Sequence, residues 1–82
     1  MKNHKEETKI QLLNMCNNIK FLRKKHNLTK KEMAKRLKIS TRSLSMLENG
    51  IIPSRLSCAF LFYVFNEFDV PPKKIFEISL HD

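Results

Sequence analysis

At 82 residues, with 41% hydrophobic and 29% charged side chains and a single glycine, the chain has room for one core and excludes a two-domain protein. Sixteen Lys and Arg against eight Asp and Glu give a net charge of +8, which favours an acidic partner, either nucleic acid or an anionic membrane surface. The longest uncharged run, Leu56 to Asn66, is far short of the roughly twenty residues of a membrane span, and Lys2 and Lys5 lead into Glu6 and Glu7 rather than a signal-peptide core, so a soluble cytoplasmic chain is expected.

Taken in chain order, the first helix carries Ile19 and Leu22 on one face and ends near His26 and Asn27. Its start has two readings. Thr8 caps one long helix through Ile10, Leu13 and Cys16, or Asn17 and Asn18 open a separate helix behind a leading arm. Thr29-Lys-Lys-Glu32 has capping-box spacing and starts a second helix, with Met33, Ala34 and Leu37 on one apolar stripe and Lys30, Lys31, Lys35 and Arg36 on the wet side.

Lys38-Ile39-Ser40 interrupts that stripe, and Ser40 caps a third helix whose Leu44 and Leu47 face inward. Gly50, the only glycine, ends it in a left-handed cap. Pro53 and Ser54 are expected to open a fourth helix running to about Phe68, and Pro71-Pro72 to pre-set a short fifth over Lys73–Ile78. No alternating strand pattern or hairpin dipeptide occurs. The fold class is all-α, with five helices.

Cys16 and Cys58 lack metal-ligand spacing and read as buried thiols rather than a disulfide. His4, His26 and His81 are scattered, with no metal or nucleophile–base spacing, so no metal, no cofactor and no enzymatic activity are expected.

The charge is localised. Residues 15–50 hold ten basic side chains against only Glu32 and Glu48, whereas the flanks are nearly neutral. In that segment two short helices join through a short turn with the small Ala34 at their crossing, a helix-turn-helix pattern. The second of them presents Thr41, Arg42, Ser45 and Met46 outward, where such helices meet base edges in the major groove. Arg42 suits a bidentate contact to guanine, and the Thr41 methyl suits thymine.

Ile19-Lys-Phe-Leu-Arg23, Leu28-Thr29, Glu32-Met33-Ala34, Leu37, Ile39-Ser40 and Leu47-Glu48-Asn49-Gly50 together resemble the running pattern of the Cro/C1-type (XRE-like, phage-repressor) helix-turn-helix family, over about residues 17–76. The resemblance implies a compact, lambda-repressor-like five-helix DNA-binding domain over 15–78, with 1–14 as an arm or helix extension and 79–82 as a tail. It implies a structural ion pair between Arg23 and Glu48, base contacts at Thr41, Arg42, Ser45 and Met46, and phosphate contacts at Lys30 and around Asn49. Lys31, Ser40 and Ser43 complete the expected phosphate set. Two departures stand out. The family commonly has a left-handed glycine where this chain has Lys38, which costs about 1 kcal/mol. The fourth helix is also crowded with aromatics, and Phe62, Tyr63, Phe65 and Phe68, which need a cover, are the expected dimer or partner interface.

The expected function is that of a sequence-specific, double-stranded-DNA-binding transcriptional regulator, a repressor acting as a homodimer whose C-terminal helices, alone or together with residues 1–15, form the interface. The alternative is an antitoxin-like or adaptor module that docks a protein partner through the aromatic helix at 54–68. Binding to a membrane surface ranks last, because the basic residues flank a stripe with no apolar lipid-facing side.

Overall fold

The structure, a computed structural model, describes residues 4–77. It contains α1 (His4–Lys25), α2 (Lys30–Leu37), α3 (Thr41–Glu48), α4 (Ala59–Phe68) and α5 (Pro72–Ile75), with no strand among the described residues. The all-α, five-helix architecture is as expected. α1 is one unbroken helix that begins ahead of Thr8 and runs through Asn17 and Asn18.

Asn18 opens no helix because its amide is committed elsewhere. It is 1% exposed, and its Nδ2 donates to the carbonyls of Ile75 at 2.9 Å and Glu77 at 3.1 Å. One turn earlier, Asn14 Nδ2 donates to the Phe76 carbonyl at 3.2 Å. These bonds satisfy carbonyls that a helix end leaves orphaned. They also fasten α5, which at four residues is too short to persist alone, against α1.

α2 starts in a full capping box. The Glu32 amide donates to Thr29 Oγ1 at 3.1 Å, and the Thr29 amide donates to Glu32 Oε1 at 2.9 Å. The Thr29 amide, and then the Thr29 hydroxyl, hold the Glu32 carboxyl below the usual carboxylate range. A folded-state pKa depressed in this way stabilises the fold above the ordinary carboxylate pKa, and the contribution is lost as pH falls through the lower value.

Three successive helices end in the same motif. After α1 the amides of Asn27 and Leu28 reach back to the carbonyls of Lys24 and Arg23; after α2 those of Lys38 and Ile39 reach Lys35 and Ala34; after α3 those of Gly50 and Ile51 reach Leu47 and Met46. This paired return is the Schellman motif, and it requires one left-handed residue. Asn27 (φ 54°), Lys38 (φ 56°) and Gly50 (φ 80°) supply it. Lys38 therefore adopts the left-handed conformation despite its Cβ, and its Nζ lies 5.6 Å from the centroid of the Tyr63 ring. Lys38→Gly should relieve the backbone penalty while losing that cation–π contact, for a net stabilisation of about 0.5–1 kcal/mol. Thermal unfolding checks this, with an expected rise in Tm of a few degrees.

The turns direct the apolar stripes inward. α2 packs on α3 and α4, α1 on α3 and α5, and α4 on α5. Ile19, Leu22, Met33, Leu37, Leu44, Leu47, Val64 and Ile75 are each at most 3% exposed and form the shared core.

Three expectations fail. α4 begins at Ala59, not at Pro53 or Ser54, because the Leu56 amide bonds to the Pro53 carbonyl at 3.1 Å in a turn. Ser57 Oγ then accepts from the Ala59 amide at 3.2 Å, a local hydroxyl bond that competes with helix. The aromatic helix is accordingly 59–68. Cys58, placed in that turn, is exposed rather than buried, whereas Cys16 is buried and its thiol pKa is pushed up by burial. α5 starts at Pro72, earlier than Lys73, and closes at Ile75, where Phe76 caps it; Ile78, with the 79–82 tail, lies outside the described residues.

Candidate nucleic-acid interface

The register of α3 is fixed from behind. Leu44 and Leu47 are fully buried against the core, which leaves Thr41 and Arg42 exposed and Ser45 and Met46 half-buried. The four expected base-reading residues thus share one helix, with the first two protruding most. Ser40 is the N-cap: its Oγ accepts from the Ser43 amide at 3.0 Å and donates to Ser43 Oγ at 3.0 Å. At the other end Asn49 is exposed, and its Nδ2 donates to the Ser45 carbonyl at 2.9 Å. Ser40, Ser43 and Asn49 therefore order the ends of α3 as well as standing at its rim.

α3 is tied to α1 by a bidentate ion pair. Arg23 Nε donates to Glu48 Oε2 at 2.7 Å and Nη2 to Oε1 at 2.9 Å, while Nη1 donates to the Leu28 carbonyl at 3.2 Å. The Glu48 side chain is only 3% exposed and that of Arg23 15%. The bond to Glu48 raises the guanidinium pKa further. Neither residue is available to a ligand. Their effect is to hold the orientation of α3.

Electrostatics mark one side of this frame. Helix N-termini carry partial positive charge and ordinarily attract acidic side chains. α2 instead opens with exposed Lys30 and Lys31 beside Glu32, and the first turn of α3 holds Arg42 and no acid. An anion placed there would complement both helix ends.

Sequence reading missed Arg55. It belongs to the near-neutral C-terminal third, yet it lines a cleft of about 220 Å³ with Lys38, Ser40, Ser43, Ser57 and Tyr63, beside the start of α3. No spacing in the sequence brings Arg55 to that place; only the turn at 53–56 does.

A family model described as a helix-turn-helix domain matches residues 17–77, from the middle of α1 to just past α5. The chain belongs to the helix-turn-helix family, of the XRE/Cro–C1 type. No curated protein and no solved structure matches it.

As a helix-turn-helix protein the chain falls among DNA-binding regulators, a family that is typically non-enzymatic. Among the described residues no helix is long and apolar enough to cross a membrane, and no group of three or more His, Cys, Asp or Glu could hold a metal ion. The four aromatic residues expected at an interface of the helix-turn-helix protein divide into two pairs. Phe62 and Phe65 are 64% and 43% exposed, whereas Tyr63 and Phe68 pack against the core. Tyr63 lies beneath Lys38, and Phe68 meets the His26 ring at 5.0 Å.

Proposed function

We propose that the protein is a sequence-specific, double-stranded-DNA-binding transcriptional regulator that acts in the cytoplasm as a homodimer and represses by occluding polymerase. The observation that carries this reading is Arg42, which stands exposed in the first turn of a helix whose opposite face is fully buried and whose orientation is fixed by the Arg23–Glu48 pair. In the major groove, Arg42 and Thr41 would lead and Ser45 and Met46 would follow along the base edges. Lys30, Lys31, Ser40, Ser43 and Asn49 would hold phosphates and set register without reading sequence. Residues 15–78 would form the DNA-binding unit, with the described part of 1–14 extending its first helix and 79–82 as a tail. Two copies on a two-fold site would place their α3 helices about 34 Å apart, one turn of DNA.

Lys30→Ala tests the phosphate role. Binding to specific and random duplexes should weaken alike, and the salt dependence of log K should flatten by about one unit. A salt series followed by fluorescence anisotropy reads this directly. Loss confined to one sequence would reassign Lys30 to base reading.

The exposed Phe62 and Phe65 support a second reading, in which α4 docks a protein partner of the antitoxin or adaptor kind. Recovery of one stoichiometric partner that is lost in Phe62→Ser/Phe65→Ser would favour it.

A further inference from the structure

The first half of α1 lies outside the matched residues 17–77, and the exposed face of this helix carries a pattern of its own. Glu6, Ile10, Leu13, Asn17, Lys20 and Lys24 recur at alternating spacings of four and three residues, and all six are exposed. Those five spacings average 3.6 residues, the period of a straight α-helix, so the six side chains line one narrow seam along which a second helix can pack. At its middle the seam is apolar: Ile10 is 57% and Leu13 42% exposed. Leu13 also extends the apolar area to the loop after α3. Its Cδ2 is 3.4 Å from where a Cβ on Gly50 would stand, and the following Ile51 and Ile52 are 52% and 39% exposed.

The charges on the seam say what fits it. Read along α1, the order is acidic, apolar, apolar, polar, basic, basic. A second copy laid antiparallel, with Leu13 against Leu13 of the second copy, brings Glu6 opposite Lys20 of the second copy at both ends. A parallel copy would instead set Glu6 beside Glu6 and Lys20 beside Lys20, and like charges at a pairing surface are repulsive. The seam is therefore self-complementary in one orientation, as a two-fold interface requires.

We infer that this seam of α1 is the surface through which a second copy of the chain pairs, antiparallel about Leu13. The inference rests on the homodimer reading above and names its interface, and it leaves Phe62 and Phe65 outside that interface.

The test is sedimentation equilibrium of the full chain at low salt, from low to high micromolar concentration, with circular dichroism confirming that each variant is folded. Wild type should approach twice the 9.7 kDa chain mass. Leu13→Asp, a change at an exposed position, should weaken self-association by at least about a hundredfold, because it sets two carboxylates together at the centre of the seam. Phe62→Ser/Phe65→Ser should leave self-association unchanged. Glu6→Lys should weaken it about fivefold, as expected for exposed ion pairs, and Glu6→Lys/Lys20→Glu should restore it to within about twofold. A dimer that survives Leu13→Asp, or one that is lost only in the Phe62/Phe65 variant, would overturn the seam and leave the homodimer standing. A wild type that stays monomeric both free and on DNA would overturn the homodimer reading itself.

Discussion

Glu48→Ala is expected to lower Tm by roughly 10–20 °C, equivalent to about 2–3 kcal/mol in a domain of this size. The carboxylate takes two charge-assisted bonds from Arg23 and is almost wholly enclosed. Removing it leaves a half-buried guanidinium with only the Leu28 carbonyl as a named partner. Deleting one member of an enclosed pair costs about 3–5 kcal/mol, and the 15% exposure of the Arg23 side chain, which lets water reach it, brings the figure down. A small gain opposes the loss. Glu48 is the last residue of α3, the end at which a helix disfavours negative charge, and this is worth a few tenths of a kcal/mol. That an acid is found there at all reflects the pull of Arg23. Glu48→Gln, which retains a hydrogen-bond acceptor, should fall between the two. Thermal denaturation followed by circular dichroism measures the effect, and an unchanged Tm would remove the ion pair from the account of how α3 is held. The loss of stability should precede any change in base preference, because Leu44 and Leu47 still seat α3 on the core when the ion pair is gone.

Arg42→Ala should cost about 1–3 kcal/mol on the preferred duplex and relax selectivity at one base pair. On random DNA the loss should be small, since a single phosphate-directed cation contributes little beyond its share of the salt dependence. Arg42 bears no structural duty: it is exposed, whereas α3 is anchored by Leu44 and Leu47 on the reverse face. Stability should therefore be unchanged within about 0.5 kcal/mol. Arg42→Lys is also expected to lose selectivity, because an ammonium cannot reproduce the planar two-donor fork. Titrations of both variants against selected and scrambled duplexes decide the matter. Equal losses on the two duplexes would make Arg42 a phosphate contact.

What the sequence discloses and what it conceals divide by distance along the chain. The capping box at Thr29 and Glu32 and the stripes through Met33, Leu37, Leu44 and Leu47 are visible because their partners lie three or four residues away. The same holds for Gly50, whose left-handed turn is written in its identity. Asn18 is different. It resembles a helix-opening residue, but its amide serves a carbonyl 57 positions downstream, a contact that no local pattern announces. The start of α4 is misjudged for a related reason: Pro53 and Ser54 are genuine helix openers, yet here they form a turn that Ser57 extends, and the helix waits until Ala59. The displaced start turns Cys58 to the surface and carries Arg55 to the head of α3. Within the aromatic cluster, composition shows an excess of apolar surface but not its division. Only the fold separates Tyr63 and Phe68, which are packed, from Phe62 and Phe65, which are not.

The charge pattern is legible but ambiguous taken alone. A basic segment between nearly neutral flanks fits any polyanion, and it becomes a directed surface only once α2 and α3 present Lys30, Lys31 and Arg42 at their N-terminal ends. Those positions run against the helix dipole and make physical sense when an anion is added. A phosphate backbone meets that need, and the outward face of α3 adds the capacity to read bases.

The most direct test of the DNA-reading role is selection of bound duplexes from a random pool by the wild-type chain at about 150 mM salt, where non-specific phosphate attraction is largely screened. The expected result is a palindromic consensus whose half-sites lie one helical turn apart, about 10 base pairs from centre to centre. Folded protein that enriches no sequence would contradict it.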